Sequence, residues 1–350
     1  MIDHGRRRLL GGLASLPLLP LTGCGGPPET TEAGFTVFDQ VWTLRFVGTP
    51  AERINAAVDA AEGIVEPLYR RLHPWKDSEL TRLNRQLARD GEAPASEEIR
   101  ELIAISRPLF RATGGRFDPS VGGLIQMWGF HADAGDQAPA PPSEAELDEW
   151  LEHAPSLDDI HVEGERLRVT NSRVQLDFNA LAEGYAARRV LDTLEKLGVE
   201  NCLLDTGGDL FTLGSAGLRS WQLGIRDPRG DDVLGGVMAS GRQALCSSGD
   251  YERRLDYRDR TWSHILDPLT ARPAETNRGT TVLGADAALA DGAATALMLT
   301  PPERAGRLAR DLDLDGALLV TRDEELWRDA GMAAKMVDLP QGRQGDWQEF

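Results

Sequence analysis

The chain has 350 residues, of which 41% are hydrophobic and 27% are charged, a composition typical of a globular protein. Its 56 acidic side chains outnumber the 38 basic ones, and the formal net charge at pH 7 is -18. Because binding of a phosphate backbone needs clustered lysine and arginine, this excess of acid argues against nucleic acid as a partner.

The first 23 residues have the order of a signal peptide. Three arginines, Arg6 to Arg8, precede an apolar run from Leu9 to Leu21 that is too short to cross a bilayer as a stable helix. The run leads into Leu21-Thr22-Gly23-Cys24, which resembles a lipobox, so we expect Cys24 to carry a lipid anchor. The arginines fit either a twin-arginine export signal or an ordinary positive region. The mature protein is therefore expected in the cell envelope, facing the periplasm, on either the inner or the outer membrane.

The next segment, residues 24–34, is predicted to be the lipidated cysteine followed by a tether, because it is rich in Gly, Pro, Glu and Thr. The folded domain is predicted to span residues 35–345. It opens with a strand through Phe38 and Val47, after which Pro50 starts a helix with apolar residues at helical spacing.

Further elements follow in chain order. Helices are predicted over 96–112, over 143–153 and over 180–197, the second of them capped by Ser143 with Glu146 in capping-box spacing. Short strands alternate between 158 and 178, and strands and helices alternate through 201–226 and 287–336. Because the strand pairs have the pattern of hairpins, the fold class is predicted to be α+β, in a single domain.

Two cysteines, Cys202 and Cys246, remain once Cys24 is assigned to the lipid. A disulfide between them is possible in an oxidising compartment, but a chain of this length does not need one. Two buried thiols are the favoured interpretation.

Five polar, glycine-rich segments are candidates for chemistry, although each could also be a simple turn, cap or solvated face. In the last of them, Asp291 and Thr295 are one helical turn apart, so their oxygens share a face and could bind Mg²⁺. His264 lies beside Asp267 and could act in acid–base chemistry, or could be a structural histidine. Asp177 and Asn179 precede a predicted helix, where they could support an anion or metal site or serve only as a cap. The segments are residues 114–123, 176–185, 205–209, 247–268 and 290–295.

These segments and their order resemble the ApbE family of FAD:protein FMN transferases, over nearly all of residues 35–336. The resemblance implies a single ApbE-like, T-fold-related domain. It rests on Asp77–Asn84 (close to D-S-E-x-x-R-F-N), Phe117–Leu124 (F-D-P-x-V-G-x-L), Asp177–Ala186, Gly207–Asp209, Ser248–Tyr251 (S-G-D-Y), Ser263–Pro268 (S-H-I-x-D-P) and Ala290–Ala296 (A-D-x-x-A-T-A).

The resemblance also implies the site. Asp291, Thr295 and the main-chain carbonyl of Ala180 would hold Mg²⁺, and His264 and Asp267, together with Asp291, would be the catalytic residues. Glu183 stands where lysine is commoner in the family. The residues implied to contact FAD are Phe38, Trp75, Asn84, Arg116, Phe117, Asp118, Asp177, Glu183, His264, Ile265 and Leu266.

The activity implied by the resemblance is transfer of the FMN part of FAD to a Thr or Ser hydroxyl of an exported or membrane redox protein, with release of AMP. Two alternatives keep the same site. Water could replace the protein acceptor, which would make the chain an FAD pyrophosphatase that gives FMN and AMP, or the chain could be a non-catalytic FAD-binding lipoprotein. A general solute-binding lipoprotein fits export but not the Asp291 and Thr295 pair.

Overall fold

The computed structural model describes residues 29–37, 40–131, 140–251, 254–258, 260–339 and 345–350. The predicted signal peptide, Cys24 and Phe38 lie outside these ranges. The helices of the described part are α1 Ala51–Leu72, α2 Glu79–Asp90, α3 Glu97–Thr113, α4 Gly122–Met127, α5 Glu144–Glu152, α6 Ala182–Lys196, α7 Ala287–Met298, α8 Pro302–Asp311 and α9 Ala330–Lys335.

The strands of the described residues build one large sheet and four small ones. The strands are β1 Thr30–Val37, β2 Gln40–Val47, β3 Glu92–Pro94, β4 Ile160–Glu163, β5 Arg166–Val169, β6 Cys202–Asp205, β7 Leu210–Leu213, β8 Trp221–Arg226, β9 Val233–Ala239, β10 Gln243–Gly249, β11 Arg254–Tyr257, β12 Arg260–Ser263, β13 Leu266–Asp267, β14 Arg272–Pro273, β15 Asn277–Gly284, β16 Gly316–Thr321, β17 Leu326–Arg328, β18 Met336–Val337 and β19 Trp347–Glu349.

The large sheet has nine strands in the order β1-β2-β6-β7-β10-β15-β16-β17-β19. Its neighbours are antiparallel except for β17 and β19. The small sheets are β11-β12, β13-β14, β18-β9-β8 and β3-β5-β4. Helices and strands in this mixed, mainly antiparallel arrangement confirm the predicted α+β class.

Both faces of the large sheet are covered. Along β10, Ala244 and Cys246 join the main core, whereas Leu245 between them joins a second core cluster on the other face. Val282 and Leu283 of β15 divide between the two clusters in the same way. This follows from the two-residue period of a strand, which sends successive side chains to opposite faces. Helix α7 packs on the main-core face, against β10, β15, α3 and α6.

Several sequence predictions agree with the observed elements. Helix α1 follows Pro50 and buries apolar residues at helical spacing. Helices α3, α5 and α6 lie close to their predicted bounds. Ser143 and Glu146 form the predicted capping box at the start of α5, in which Glu146 accepts from the Ser143 amide at 2.8 Å.

Observed strands extend beyond the predicted limits of the domain at both ends. Residues 30–34 were assigned to the tether, but they belong to β1, which pairs along its whole length with β2. Backbone pairing across a hairpin supplied this strand, and the low apolar content of residues 24–34 hid it. At the other end, β19 lies beyond residue 345 and pairs in parallel with β17. Helix α2, which contains most of the Asp77–Asn84 motif, was not predicted as a helix.

The two thiols are free and buried, as the sequence favoured. Cys202 lies on β6 and Cys246 on β10, with β7 between them. Two strand spacings are roughly 10 Å, beyond the roughly 7 Å between Cα atoms that a disulfide tolerates. Burial raises the pKa of both thiols. Among the described residues, none of the helices is both long enough and apolar enough to cross a membrane.

Candidate functional site

The site centres on the contact between the start of α6 and the face of α7. The backbone N–H of Gly184, in the first turn of α6, donates to Asp291 Oδ2 at 2.7 Å. First-turn N–H groups have no partner within their own helix, and the cap residue of α6, Leu181, supplies no side-chain hydrogen bond. Asp291 therefore caps α6 from a neighbouring helix, and Asn179, the alternative predicted cap, does not.

Gly184 has no room for a side chain. A Cβ at this position would lie 2.3 Å from the carbonyl oxygen of Ala287 and 2.5 Å from the Cβ of Asp291. Such distances are far inside van der Waals contact. Only glycine lets α6 and α7 approach closely enough for the Gly184 amide to reach the carboxylate.

Thr295 lies one turn beyond Asp291 on α7, and the two side chains share a face as predicted. The Thr295 hydroxyl is 3.1 Å from the Ser248 hydroxyl on β10. Asp291 is only 9% exposed. The interpretation of this face as an ordinary solvated helix surface was wrong, because β10 and α6 cover it.

Two further carboxylates lie, like Asp291, close enough to the Cys246 thiol to affect its pKa. Glu183 accepts from the Thr206 hydroxyl at 2.5 Å, and Asp209 accepts from the Ser247 amide at 2.8 Å. Burial raises the pKa of the nearby Cys246 thiol, and the charges of all three carboxylates raise it further. We call Glu183, Asp209 and Asp291 the carboxylate cluster.

Asp209 is the site residue that sequence reasoning missed. It was noted only as the acidic end of a Gly-Gly turn between two strands. The structure brings it to the cluster because β7 pairs with β10, which puts the turn before β7 next to Ser247. A turn motif could not reveal this, since the pairing joins distant parts of the chain.

The donors at this point suit a hard divalent cation. In the described part of the chain, no three His, Cys, Asp or Glu side chains are arranged to hold one ion together. The predicted set is of another kind, with one carboxylate (Asp291), one hydroxyl (Thr295) and one carbonyl (Ala180, in the turn before α6). Mg²⁺ is commonly bound by one or two carboxylates and completes its shell with water and phosphate oxygens. The residues present therefore fit Mg²⁺.

Two loops next to the carboxylate cluster are joined through their backbone, and each contains a carboxylate that accepts backbone hydrogen bonds. Asp118 accepts from the amides of Ser120 at 2.8 Å and Leu157 at 3.0 Å. Burial raises the pKa of Asp118 to about 6, against the effect of these hydrogen bonds. The amide of Asp177 donates to the Pro119 carbonyl at 2.8 Å, and its side chain accepts from the Asn179 amide at 2.8 Å. The backbone of Asp177 thus joins the two loops, whereas the Asp118 carboxylate ties its loop to Leu157.

Asn84 and Phe117, both predicted to contact FAD, are buried and pack against segments that carry site residues. The Asn84 amide donates to the Leu176 carbonyl and accepts from the Leu176 amide, both at 2.9 Å. This exchange ties α2 to the segment that leads to Asp177. The Phe117 side chain is 3% exposed and belongs to the main core. Its ring lies near Gly292 of α7, where an added Cβ would be 3.5 Å from the ring edge.

A second group of predicted residues surrounds the His264 loop. Arg116 forms an ion pair with Asp267, whose other oxygen accepts from the Leu269 amide at 3.0 Å. Burial raises the pKa of Asp267, and the Arg116 guanidinium offsets part of that effect. Ile265 and Leu266, between His264 and Asp267, are buried in apolar clusters.

Trp75 and His264 contact the rings of two consecutive residues, His131 and Phe130. The Trp75 ring lies 5.7 Å from the His131 ring, and the Phe130 ring lies 6.4 Å from the His264 ring. The Trp75 indole N–H is buried without a hydrogen-bond acceptor among the described residues. The structure thus brings Trp75, His264, Asp267 and Arg116 to one region, and Glu183, Asp291 and Thr295 to another beside it.

The sequence also matches a known protein family. The model of the ApbE family matches residues 38–318. The chain belongs to the ApbE family. It is 33% identical over 346 residues to the FAD:protein FMN transferase of Rhodobacter capsulatus, covering 97% of this chain and 66% of that protein. It is 27% identical over 328 residues to the FAD:protein FMN transferase of Vibrio cholerae, covering 91% of this chain and 95% of that protein. The chain thus spans about two thirds of the first relative and nearly all of the second.

Solved ApbE structures share the fold. The ApbE protein of Thermotoga maritima superimposes with a TM-score of 0.77 at 24% identity, covering 89% of this chain and 100% of that one. The apo form of the Pseudomonas stutzeri flavinyl transferase ApbE gives a TM-score of 0.72 at 27% identity, covering 85% of this chain and 92% of that one. The predicted ApbE-like single domain is confirmed.

Proposed function

We propose that this protein transfers the FMN part of FAD to a Thr or Ser hydroxyl of an exported or membrane redox protein and releases AMP. The observation that carries the proposal is the Asp291 carboxylate held by the Gly184 amide at the α6–α7 contact, in a chain whose relatives are named FAD:protein FMN transferases. The carboxylate cluster supplies several hard oxygen atoms next to a region rich in aromatic and cationic side chains. Such a pair of regions suits a flavin dinucleotide and the metal that accompanies its pyrophosphate.

Asp291, Thr295 and the carbonyl of Ala180 would hold Mg²⁺, which when bound supplies charge neutralisation for pyrophosphate oxygens. The Gly184 amide keeps the Asp291 carboxylate in one orientation. Glu183 and Asp209 hold their own orientations through Thr206 and Ser247. The protein therefore presents these oxygen atoms in fixed positions before the substrate arrives, which lowers the cost of binding.

In the proposed reaction, the acceptor hydroxyl oxygen forms a bond to the phosphorus of the FMN half. The bond from that phosphorus to the bridging oxygen breaks, and AMP leaves with this oxygen and its electron pair. The hydroxyl proton goes to a base, for which His264 is the candidate. Asp267 holds Arg116, whose guanidinium is suited to phosphate oxygens.

The first test is the fate of FAD when the chain is incubated with Mg²⁺ and a set of exported redox proteins. We expect an FMN mass adduct on one acceptor and one AMP for each adduct. The Asp291→Asn variant should lose at least about 100-fold in rate, because it removes the negative charge of the proposed metal ligand. Its melting temperature should stay within a few degrees of the wild type. Asp148→Asn, at an exposed position on α5, is the matched control and should keep full activity.

Three outcomes separate the candidates. Free FMN and AMP without any adduct would establish the pyrophosphatase instead of the transferase. FAD binding without AMP release would establish a non-catalytic flavin-binding protein. AMP release that persists in Asp291→Asn would remove Asp291 from the chemistry.

We further propose that Cys24 carries a lipid that anchors the protein in the cell envelope, with the folded domain facing the periplasm. The support is the lipobox-like Leu21-Thr22-Gly23-Cys24 after an apolar run. Membrane fractionation of the wild-type chain and of Cys24→Ser tests this.

A further inference from the structure

A groove lies between the C-terminal end of α3 and one face of α8, with a volume of about 570 Å³. Its walls include four arginines, and we call it the arginine groove. These four are Arg111, Arg116, Arg304 and Arg307. The volume falls within the range of ligand-binding clefts, which is roughly 300–1,000 Å³.

The positive charge of the groove is only partly compensated. Asp311 is the acidic residue among those lining it, and it pairs with Arg307 at 3.4 Å. Arg116 pairs with Asp267. Arg111 and Arg304 are exposed, and neither makes a side-chain hydrogen bond or ion pair within the described ranges. Two uncompensated guanidinium groups therefore face one cleft of a chain whose net charge is -18.

The groove adjoins the candidate site on two sides. Arg116 lines the groove and also holds Asp267 of the His264 loop. Leu299, another lining residue, clusters with Ile265 of the same loop and directly follows α7, which carries Asp291 and Thr295. A molecule in the groove would therefore lie next to the loop that bears His264.

We propose that the arginine groove binds an acidic segment of the acceptor protein, close in sequence to the hydroxyl that receives FMN. This inference rests on the proposed function. An acidic partner is repelled by most of this surface, so a cleft with two unpaired arginines is the place where its carboxylates can be paired. Arginine binds carboxylates in a bidentate manner, which fixes the position of a peptide as well as attracting it. A concave cleft that shares a residue with the site suits a peptide better than a flat membrane surface.

The decisive variant is Arg111→Gln combined with Arg304→Gln, compared with Arg310→Gln. Arg310 is exposed and lies on α8 outside the groove, and both Arg111 and Arg310 occupy the last turn of a helix, so the control matches the loss of a helix-terminal charge. In the transfer assay, we expect the double variant to raise KM for the acceptor roughly 10-fold at low salt, with kcat and KM for FAD unchanged. Added salt should narrow the difference, because it screens exposed charges.

A binding measurement separates failure of this inference from failure of the proposed function. A fluorescent peptide rich in Asp and Glu, with one Thr, should bind the wild type and Arg310→Gln, and should bind the double variant at least about 10-fold more weakly. Peptide binding without FMN transfer would overturn the transferase proposal alone. Transfer without any contribution of Arg111 and Arg304 to peptide or acceptor binding would overturn the groove proposal alone.

Other results would also overturn the groove proposal. An equal rise in KM for FAD would assign the groove to the nucleotide. An equal rise in acceptor KM or an equal loss of peptide affinity in Arg310→Gln would show a general effect of surface charge. Loss of binding to anionic phosphatidylglycerol vesicles in the double variant, with acceptor KM unchanged, would assign the groove to the membrane surface.

Discussion

Asp291 keeps its orientation because the residue that faces it, Gly184, has no side chain. The sequence predicted that Asp291 and Thr295 share a helix face, since their spacing alone determines this. It could not predict that the carboxylate caps a different helix, because that contact depends on how closely α6 and α7 approach. It also missed Asp209, which reaches the site only through the pairing of β7 with β10. At this scale, local spacing was informative and distant contacts were not.

Replacement of Gly184 by alanine tests this contact. The added methyl group would push α7 from α6, so we expect a loss of about 1–3 kcal/mol in unfolding free energy. We expect Mg²⁺ to raise the melting temperature of the wild type, and we expect this rise to be smaller in Gly184→Ala, because the Asp291 carboxylate loses its fixed partner.

Gly63 provides the control for that variant. It lies inside α1, and nothing is within 4 Å of an added Cβ, so Gly63→Ala should raise stability by roughly 0.5–1 kcal/mol and leave the Mg²⁺ response intact. A Gly184→Ala protein with wild-type stability and an unchanged Mg²⁺ response would show that the close approach is not required.

Elements with strong local signals were predictable, and elements defined by pairing were not. Helix α5 was found from its capping box, and α1 from its apolar period. Residues 30–34 of strand β1 were assigned to a tether, because the hydrogen bonds to the partner strand β2 that order them are not visible in the composition. Helix α2 was hidden inside a motif that was considered only for its resemblance. Its role is visible in the structure, where Asn84 joins it to the segment before Asp177.

Loss of the two hydrogen bonds between Asn84 and Leu176 should destabilise the protein. Asn84→Ala would leave the buried amide and carbonyl of Leu176 without their partners, at a cost of roughly 2 kcal/mol or more. Because the segment leads to Asp177, KM for FAD should rise as well. Chemical denaturation and steady-state kinetics measure the two effects.

The comparison variant is Gln86→Ala on the same helix. Gln86 is only partly buried, and its side chain has no hydrogen bond among the described residues, so the change should stay within about 0.5 kcal/mol. If Asn84→Ala were equally mild, α2 would not depend on Asn84 to hold the loop.

For the whole molecule, composition and the order of motifs predicted the fold class and the family, because both depend on properties spread along the chain. The uneven distribution of charge was not predictable. The net charge of -18 concealed a cleft with four arginines, which only folding brings together from the end of α3 and one face of α8. A total charge describes solubility and long-range attraction, but not individual surfaces.

The proposed anchor is also a property of the whole molecule. We expect the wild-type chain in the membrane fraction and Cys24→Ser in the soluble periplasmic fraction with its FMN transfer activity retained, because the lipid lies far in sequence from the site. Membrane association of Cys24→Ser at high salt would contradict lipid anchoring at this residue. If export is by the twin-arginine route, replacing Arg6 and Arg7 by lysine should block it, whereas a general export signal should tolerate the change.

The start of β1 at Thr30 limits how far the folded domain could lie from a membrane-inserted lipid on Cys24. With a lipid on Cys24, the main chain up to Thr30, where the sheet begins, can extend at most about 20 Å. So short a connection would keep the folded domain close to the bilayer and would prevent it from reaching acceptors deeper in the periplasm. Acceptors would then be selected by the height of their target hydroxyl above the membrane, in addition to any recognition of their sequence.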